Sequence, residues 1–120
     1  MEQFKKEQSF EKRLESAEKI LARYPDRVPV LVFEDSNWYR EDLPKLDKNK
    51  YLVPKDLTVG QFLYVIRKRI KLAPEKALFL FIGKGVLPAT SALMSEIYEQ
   101  HKDIDKFLVS FLCGESSFGC

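Results

Sequence analysis

The sequence predicts an α+β fold in which helices pack on one mixed sheet. Two observations support this prediction. Apolar residues recur at helical spacing in some segments, whereas other short runs are rich in β-branched and aromatic residues. The resulting order is helix, strand, strand, helix, strand, helix, strand, which fits this class. With 120 residues, the chain is most simply one domain.

The first helix is predicted within residues 1–24. Ser9 is a candidate N-cap, and Pro25 ends the helix because proline lacks the N–H that a helix needs. Ile20 lies beside the core-facing stripe, and we expect it to line a groove. The stripe itself is apolar and recurs at helical spacing: Phe10, Leu14, Ala17, Leu21 and Tyr24.

The first strand is predicted at residues 28–33. Its apolar residues fall on both faces, so we expect both faces to be covered. Pro29 must lie near its beginning, where a missing N–H costs least. Residues 34–48 form a polar connection that contains Trp38 and Tyr39, and we assign it no role.

A second strand and a capped helix follow. Residues 50–53 alternate polar and apolar side chains, and Pro54 ends the run. Thr58 and Gln61 have the spacing of a capping box, which marks the start of a helix. The core-facing stripe of this helix is again apolar: Val59, Phe62, Leu63, Ile66 and Ile70.

The C-terminal half begins with a continuous apolar run at residues 77–82, bounded by Pro74 and Gly83. Such a run predicts a buried central strand. The other predicted elements are a turn at 83–85, a helix at 91–102, a last strand at 107–112 and a small polar tail at 114–120, which we expect to be mobile.

Composition and motifs exclude several classes of function. The net charge is +2, so no bulk charge requires a polyanionic partner, and the basic run 67–71 alone predicts no nucleic-acid role. His101 with two distant cysteines makes neither a zinc site nor a nucleophile–base pair, so we expect no enzyme, metal or cofactor. No apolar run is long enough for a signal peptide or a membrane span, which favours a cytoplasmic protein.

Five segments of the sequence together carry a resemblance: Phe10–Arg13, Tyr24–Val30, Tyr51–Pro54, Asp56–Phe62 and Ile66–Ile70. They resemble the hallmark sequences of the autophagy ubiquitin-like modifiers, a family that includes the light chain 3 proteins and the GABA-A-receptor-associated protein. The resemblance extends over nearly the whole chain. It implies a ubiquitin-like β-grasp with a mixed four-stranded sheet and two additional N-terminal helices. The chain then divides into a helical extension at 1–24, a core at 25–113 and a flexible tail at 114–120.

In a β-grasp the first and last strands lie centrally, and the strand at residues 50–53 is an edge. Lysines at 48 and 50 could simply protect this edge against aggregation. Alternatively, the edge could accept an extended peptide by β-augmentation. Side-chain alternation favours the second interpretation. Leu52 and Tyr51 border separate depressions, and a peptide with an aromatic and an aliphatic residue three positions apart would fill one with each.

The resemblance implies that this edge binds short aromatic-x-x-aliphatic motifs. We expect three cations to attract acidic residues that flank such motifs: Lys48, Lys50 and Arg69. The first pocket would be formed by Ile20, Pro29, Lys50, Leu52 and Phe107. The second pocket would be formed by Tyr51, Val53, Pro54, Leu57, Phe62 and Val65. Ser16 stands where the family often has an acidic contact residue, which leaves the preferred partner open.

The tail resembles the processing site of the family, because Phe118 precedes Gly119. The resemblance implies that a cysteine protease cuts after Gly119 and releases Cys120. Activating and conjugating enzymes would then join Gly119 to phosphatidylethanolamine. Lipid attachment would place the protein on autophagosomal membranes and cytoplasmic vesicles, where it would recruit cargo receptors and adaptors and support autophagosome formation.

One rival class stays open at this point. A ubiquitin-like adaptor that is never conjugated could bind peptides, tubulin or vesicle-trafficking proteins through the same surfaces. The sequence of the folded part would be compatible with either function. The fate of Gly119 and Cys120 separates the two.

Overall fold

The computed structural model describes residues 9–34, 45–83 and 85–114. Within these residues the order of elements is the predicted one. The elements are α1 (Phe10–Arg23), β1 (Arg27–Glu34), β2 (Lys50–Pro54), α2 (Val59–Arg69), β3 (Phe79–Ile82), α3 (Met94–His101) and β4 (Leu108–Cys113). Three predicted features lie outside the described residues. They are the helix that was predicted to pair with α1, most of the connection that contains Trp38, and the tail beyond residue 114.

The four strands form one mixed sheet in the order β2-β1-β4-β3. The central strands β1 and β4 are parallel, whereas β2 and β3 pair antiparallel at the two edges. The predicted positions of β1, β2 and β4 are therefore confirmed. The prediction of a central strand at residues 77–82 is wrong, because β3 is an edge strand. Leu80, Phe81 and Ile82 are all buried, which explains why the run is apolar. An edge strand can be as buried as a central strand, so burial alone does not give the position of a strand in the sheet.

Helices cover both faces of this sheet, as the two-sided apolar pattern of β1 predicts. On one face Val28, Val30 and Val32 belong to the main core, together with buried residues of α2 and α3. On the other face Ala17 of α1 packs with Leu31 in a smaller cluster. The remaining buried members of that cluster are Phe107 and Val109. The sheet is thus the middle layer of three.

The start of α1 agrees with prediction, since Ser9 Oγ accepts a hydrogen bond from the Lys12 N–H at 3.3 Å. The predicted apolar stripe is buried in its middle and open at its ends. Ala17 is fully buried, whereas Phe10 and Tyr24 are 39% and 38% exposed. Arg13 is buried instead, a position that the stripe did not predict.

The start of α2 has the predicted capping box. Thr58 Oγ1 accepts from the Gln61 N–H at 3.1 Å, and the Thr58 N–H donates to Gln61 Oε1 at 2.9 Å. The Gly60 N–H also donates to the Thr90 carbonyl at 2.9 Å. A Cβ at Gly60 would lie 3.3 Å from that carbonyl oxygen, so glycine allows the loop before α3 to approach the helix closely.

The end of α2 is a Schellman motif. The Leu72 N–H donates to the Arg67 carbonyl at 3.0 Å, and the Lys71 N–H donates to the Lys68 carbonyl at 3.2 Å. Lys71 has a φ of 55°, in the left-handed region that this motif requires. Glycine is the usual residue there, so a lysine at this position is strained.

Candidate peptide-binding edge

The strand β2 has β1 on one side, and no described strand lies on its other side. Pro29 stands directly opposite Leu52 in this pair. Residues directly opposite in an antiparallel pair exchange either both hydrogen bonds or neither, and proline has no N–H to give. The backbone N–H and carbonyl of Leu52 therefore point away from β1, and the Leu52 carbonyl accepts from Arg27 Nη1 at 3.2 Å. This outer edge offers hydrogen bonds to an added strand.

Alternate side chains of β2 lie on opposite faces of the sheet. Lys50 and Leu52 pair with Leu31 and Pro29 on the face that α1 covers. Tyr51 and Val53 belong to the core beneath α2. The two predicted pockets therefore lie on opposite faces of the sheet.

The first predicted pocket coincides in part with a groove of about 590 Å³ between α1 and β2. Its lining includes Ile20, Lys50 and Leu52, as predicted, and also four polar residues: Ser16, Lys19, Arg27 and Lys48. The two other predicted members, Pro29 and Phe107, are buried.

Lys50 covers part of this first pocket. Its Nζ lies 5.5 Å from the centre of the Phe107 ring and donates to Ser16 Oγ at 3.3 Å. Phe107 is fully buried. An aromatic side chain that reached Phe107 would therefore have to displace the Lys50 ammonium group from the ring.

The second predicted pocket has a packed floor. Tyr51, Val53 and Phe62 are buried, and the rings of Tyr51 and Phe62 meet edge to face with their centres 5.7 Å apart. Leu57 is half-buried and Val65 is 48% exposed. Pro54 is half-buried as well. An aliphatic side chain of a peptide would find its apolar contact on Leu57, Pro54 and Val65.

The hydroxyl of Tyr51 is the exception in this packed floor. Among the described residues it is buried without a hydrogen-bond partner. Burial raises the pKa of this phenol above its ordinary value. Lys48 Nζ lies 4.7 Å from the centre of the same ring, so a cation stands at the border of the second pocket.

The three predicted acid-attracting cations are not equivalent. Arg69 already binds Asp47 through two hydrogen bonds, Nε to Oδ1 at 2.8 Å and Nη2 to Oδ2 at 3.0 Å. This hydrogen bonding holds the pKa of Asp47 below its usual value and raises the pKa of Arg69. Within the described residues no carboxylate pairs with Lys48 or Lys50. An acidic peptide would therefore meet these two lysines first.

Other kinds of site find no support in the described part of the chain. It contains no group of three or more His, Cys, Asp and Glu side chains placed to hold a metal ion. No helix among residues 9–34, 45–83 and 85–114 is both long and apolar enough to cross a bilayer. The predicted cleavage and conjugation residues, Gly119 and Cys120, lie outside the described residues.

Comparison with known proteins agrees with this fold. A family model described as "Autophagy protein Atg8 ubiquitin like" matches residues 12–119. Autophagy-related protein 8 of Mycosarcoma maydis is 62% identical over 116 residues, which are 97% of this chain and 95% of that protein. Autophagy-related protein 8d of Arabidopsis thaliana is 55% identical over 97% of this chain and 93% of its own length. The crystal structure of Trypanosoma brucei ATG8 superposes with a TM-score of 0.82, at 44% identity and 96% coverage of both chains. The chain therefore belongs to the Atg8 family of autophagy-related ubiquitin-like proteins.

Proposed function

We propose that this chain acts as a lipid-conjugated, ubiquitin-like modifier of autophagy and not as an enzyme. In this proposal it is joined through Gly119 to phosphatidylethanolamine, and it recruits cargo receptors and adaptors at the β2 edge. The observation that carries the proposal is the family match, which runs through residue 119 and thus includes the glycine to be conjugated. The open backbone edge of β2 supports the recruiting part.

Conjugation would proceed by acyl transfer. A cysteine protease hydrolyses the peptide bond after Gly119 and releases Cys120. ATP adenylates the new carboxylate and pyrophosphate leaves. A thiol of the activating enzyme then displaces AMP to form a thioester, and a thiol of the conjugating enzyme takes over the acyl group and frees the first thiol. The amine of phosphatidylethanolamine then attacks the thioester carbonyl, so that an amide forms and the enzyme thiol leaves. Glycine suits this role because it lacks a Cβ that would obstruct a narrow enzyme cleft.

Lipid attachment would decide where the protein acts. Before conjugation we expect it in the cytoplasm. Two acyl chains on one headgroup give firm anchoring, whereas a single chain binds membranes only marginally. The conjugated form would therefore stay on autophagosomal membranes and cytoplasmic vesicles.

Motif binding would begin at the backbone of β2. An extended peptide pairs with the outward N–H and carbonyl of Leu52, and Arg27 releases that carbonyl. The aromatic residue of the motif enters the groove between α1 and β2 after Lys50 moves aside. The aliphatic residue lies against Leu57 and Val65. Lys48 and Lys50 attract the acidic residues that flank the motif, an effect that added salt weakens.

The conjugation proposal is tested by the mass of the chain after incubation with the cognate protease. We expect loss of the Cys120 residue and no cleavage in Gly119→Ala. In starved cells, mass spectrometry of the C-terminus should then detect a phosphatidylethanolamine adduct on Gly119. A chain that stays uncut in both settings would instead favour the unconjugated adaptor, which could still bind tubulin or trafficking proteins.

The motif proposal is tested by calorimetry with an acidic aromatic-x-x-aliphatic peptide. Leu52→Ala and Val65→Ala should each weaken binding by about tenfold, the size of a moderate interface residue. Ile104→Ala is the matched control, because Ile104 is 78% exposed and lies outside both pockets. Equal affinity in all three variants would remove the assignment of the pockets.

A further inference from the structure

A second groove, of about 560 Å³, lies at the C-terminal end of α2. We call it the basic groove. Three of its residues are cations, one is an aromatic residue and the others are apolar, and none is acidic. The lining residues are Tyr64, Arg67, Lys68, Lys71, Leu72, Ala73 and Pro74.

No acidic side chain among the described residues pairs with the cations of the basic groove. Arg67 Nη2 donates to the Ala73 carbonyl at 3.2 Å. This hydrogen bond holds the loop after α2 in place, but a neutral carbonyl does not compensate the charge of Arg67. Lys68 Nζ lies 5.0 Å from the centre of the Tyr64 ring. Arg69, one position further along the helix than Lys68, is neutralised by Asp47.

Tyr64 gives the basic groove an amphipathic character. Its side chain is 57% exposed, and the Lys68 ammonium group lies over its ring. Aromatic rings with a polar end and lysines with long apolar stems are the side chains that prefer the boundary between lipid and water. The groove thus combines positive charge with side chains suited to a headgroup layer.

Lys71 occupies its place in the groove at a cost to the backbone. Its φ of 55° lies where glycine is favoured, in the Schellman motif that ends α2. A glycine would relieve the strain but would remove a cation from the groove. Strained residues of this kind often mark sites where the side chain itself is needed.

The loop that lines the basic groove leads into β3 at the end of the sheet from which the chain continues toward Gly119. Phe79, the first residue of β3, pairs with Cys113, the last residue of β4. Five steps along the chain separate Pro74 from Phe79, a span of at most about 18 Å. Six steps separate Cys113 from Gly119, which reach at most about 22 Å. A bilayer attached at Gly119 would therefore be within reach of the groove.

We propose that the basic groove is a contact surface for an anionic membrane. Once the chain is attached to lipid, this contact turns α2 toward the bilayer. The inference rests on the proposed conjugation at Gly119, because the attachment brings the groove close to the surface. Each lysine or arginine near an anionic leaflet is worth roughly a fivefold change in partition, and the effect vanishes beyond a Debye length. Three cations are too few to hold a free protein firmly, but they suffice to orient one that is already attached.

The test attaches the chain without any conjugating enzyme. The full chain carries Cys113→Ala, so that after reduction Cys120 is the one thiol left, and it is coupled through Cys120 to a maleimide lipid. The vesicles contain phosphatidylcholine alone or with about 30% phosphatidylserine, a strongly anionic surface. A brief reaction with an acetylating ester, read by mass spectrometry, then reports the accessibility of each lysine. Lys12 and Lys55 are the controls, since both are exposed and lie outside the basic groove.

We expect phosphatidylserine to slow acetylation of Lys68 and Lys71 by about fivefold and to leave Lys12 and Lys55 unchanged. About 0.5 M salt should remove the difference. Equal rates on both vesicles, or equal protection of all four lysines, would overturn the proposal. So would protection of Lys68 and Lys71 by single-stranded RNA without vesicles at the same salt, because the groove would then be a nucleic-acid site. Since the coupling is chemical, a negative result leaves conjugation at Gly119 untouched.

Discussion

Arg13 and Asp105, 92 positions apart, form an ion pair in which Arg13 Nε donates to Asp105 Oδ2 at 2.9 Å. The Arg13 side chain is 11% exposed and that of Asp105 is 2% exposed. Asp105 Oδ1 also accepts from the Phe107 N–H at 3.0 Å. The pair therefore fastens α1 to the turn that leads into β4, beside the buried Phe107 of the first pocket.

Breaking this pair should destabilise the fold. A lone charge left in a buried site costs about 3–5 kcal/mol, so we expect Asp105→Ala and Arg13→Ala each to lower the free energy of unfolding by about 3 kcal/mol. The double variant should cost less than the sum, as urea unfolding would measure. The exposed pair Glu15–Lys19 is the control, and its removal should change stability by less than about 0.5 kcal/mol. Strictly additive losses for Arg13 and Asp105 would contradict the coupling.

Tyr98 should make stability depend on alkaline pH. Burial raises the pKa of its phenol from 10.0 to about 12, and its hydroxyl donates to the Lys106 carbonyl at 2.7 Å. The folded chain thus keeps a proton between pH 10 and 12 that the unfolded chain loses. The stability from this group is complete below pH 10 and lost as pH rises toward 12. Tyr98→Phe should flatten that loss in unfolding curves, and an equally steep loss in the variant would contradict the assignment.

Asp47 should have a pKa below its ordinary value. Hydrogen bonds from Arg69 hold its pKa below 3.8, so any stability from the pair is present above that pH and is lost as pH falls through the lowered pKa. Both side chains are largely exposed, so the effect on unfolding should be small. Carboxyl NMR should show the pKa of Asp47 rising toward 3.8 in Arg69→Gln. Lys19→Gln should leave the Asp47 titration unchanged, and the same titration in all three proteins would rule out the pairing.

Lys71→Gly should stabilise the fold by about 0.5–1 kcal/mol, because glycine adopts the left-handed conformation without steric cost. Thermal or urea unfolding would measure the gain. Lys68→Gly removes the same charge from the regular part of α2 and should cost about 1 kcal/mol instead. Destabilisation by both substitutions would show that the Lys71 side chain contributes contacts that outweigh its backbone strain.

Local signals predicted much of the fold. The capping box of Thr58 and Gln61 lies within four consecutive residues, and the cap at Ser9 is equally local. Such interactions can be read from a sequence because no other part of the chain is needed to form them. The order of the strands in the sheet was harder to predict from the sequence. A buried strand is apolar whether it lies at the centre or at the edge of a sheet. The apolar pattern of residues 77–82 therefore could not predict that β3 is an edge strand.

The part of the candidate site that depends on side-chain alternation along β2 was predictable, because alternation determines on which face of the sheet each side chain lies. Leu52 and Tyr51 do lie on opposite faces of the sheet. Contacts between distant residues were not predictable. Asp47 meets Arg69 across 22 positions, and the carbonyl of Leu52 meets Arg27 across 25, with no periodic pattern that links either pair. These contacts appear only after the chain has folded.

The parallel pairing of β1 with β4 has a consequence for synthesis of the protein. Val30 pairs with Leu108, so the centre of the sheet joins residues that lie 78 positions apart in the sequence. A nascent chain still lacking β4 leaves one side of β1 unpaired, and pairing over such sequence distances is slow. β4 must therefore be synthesised and leave the ribosome before this domain can assemble, and until then the unpaired side of β1 is open to aggregation.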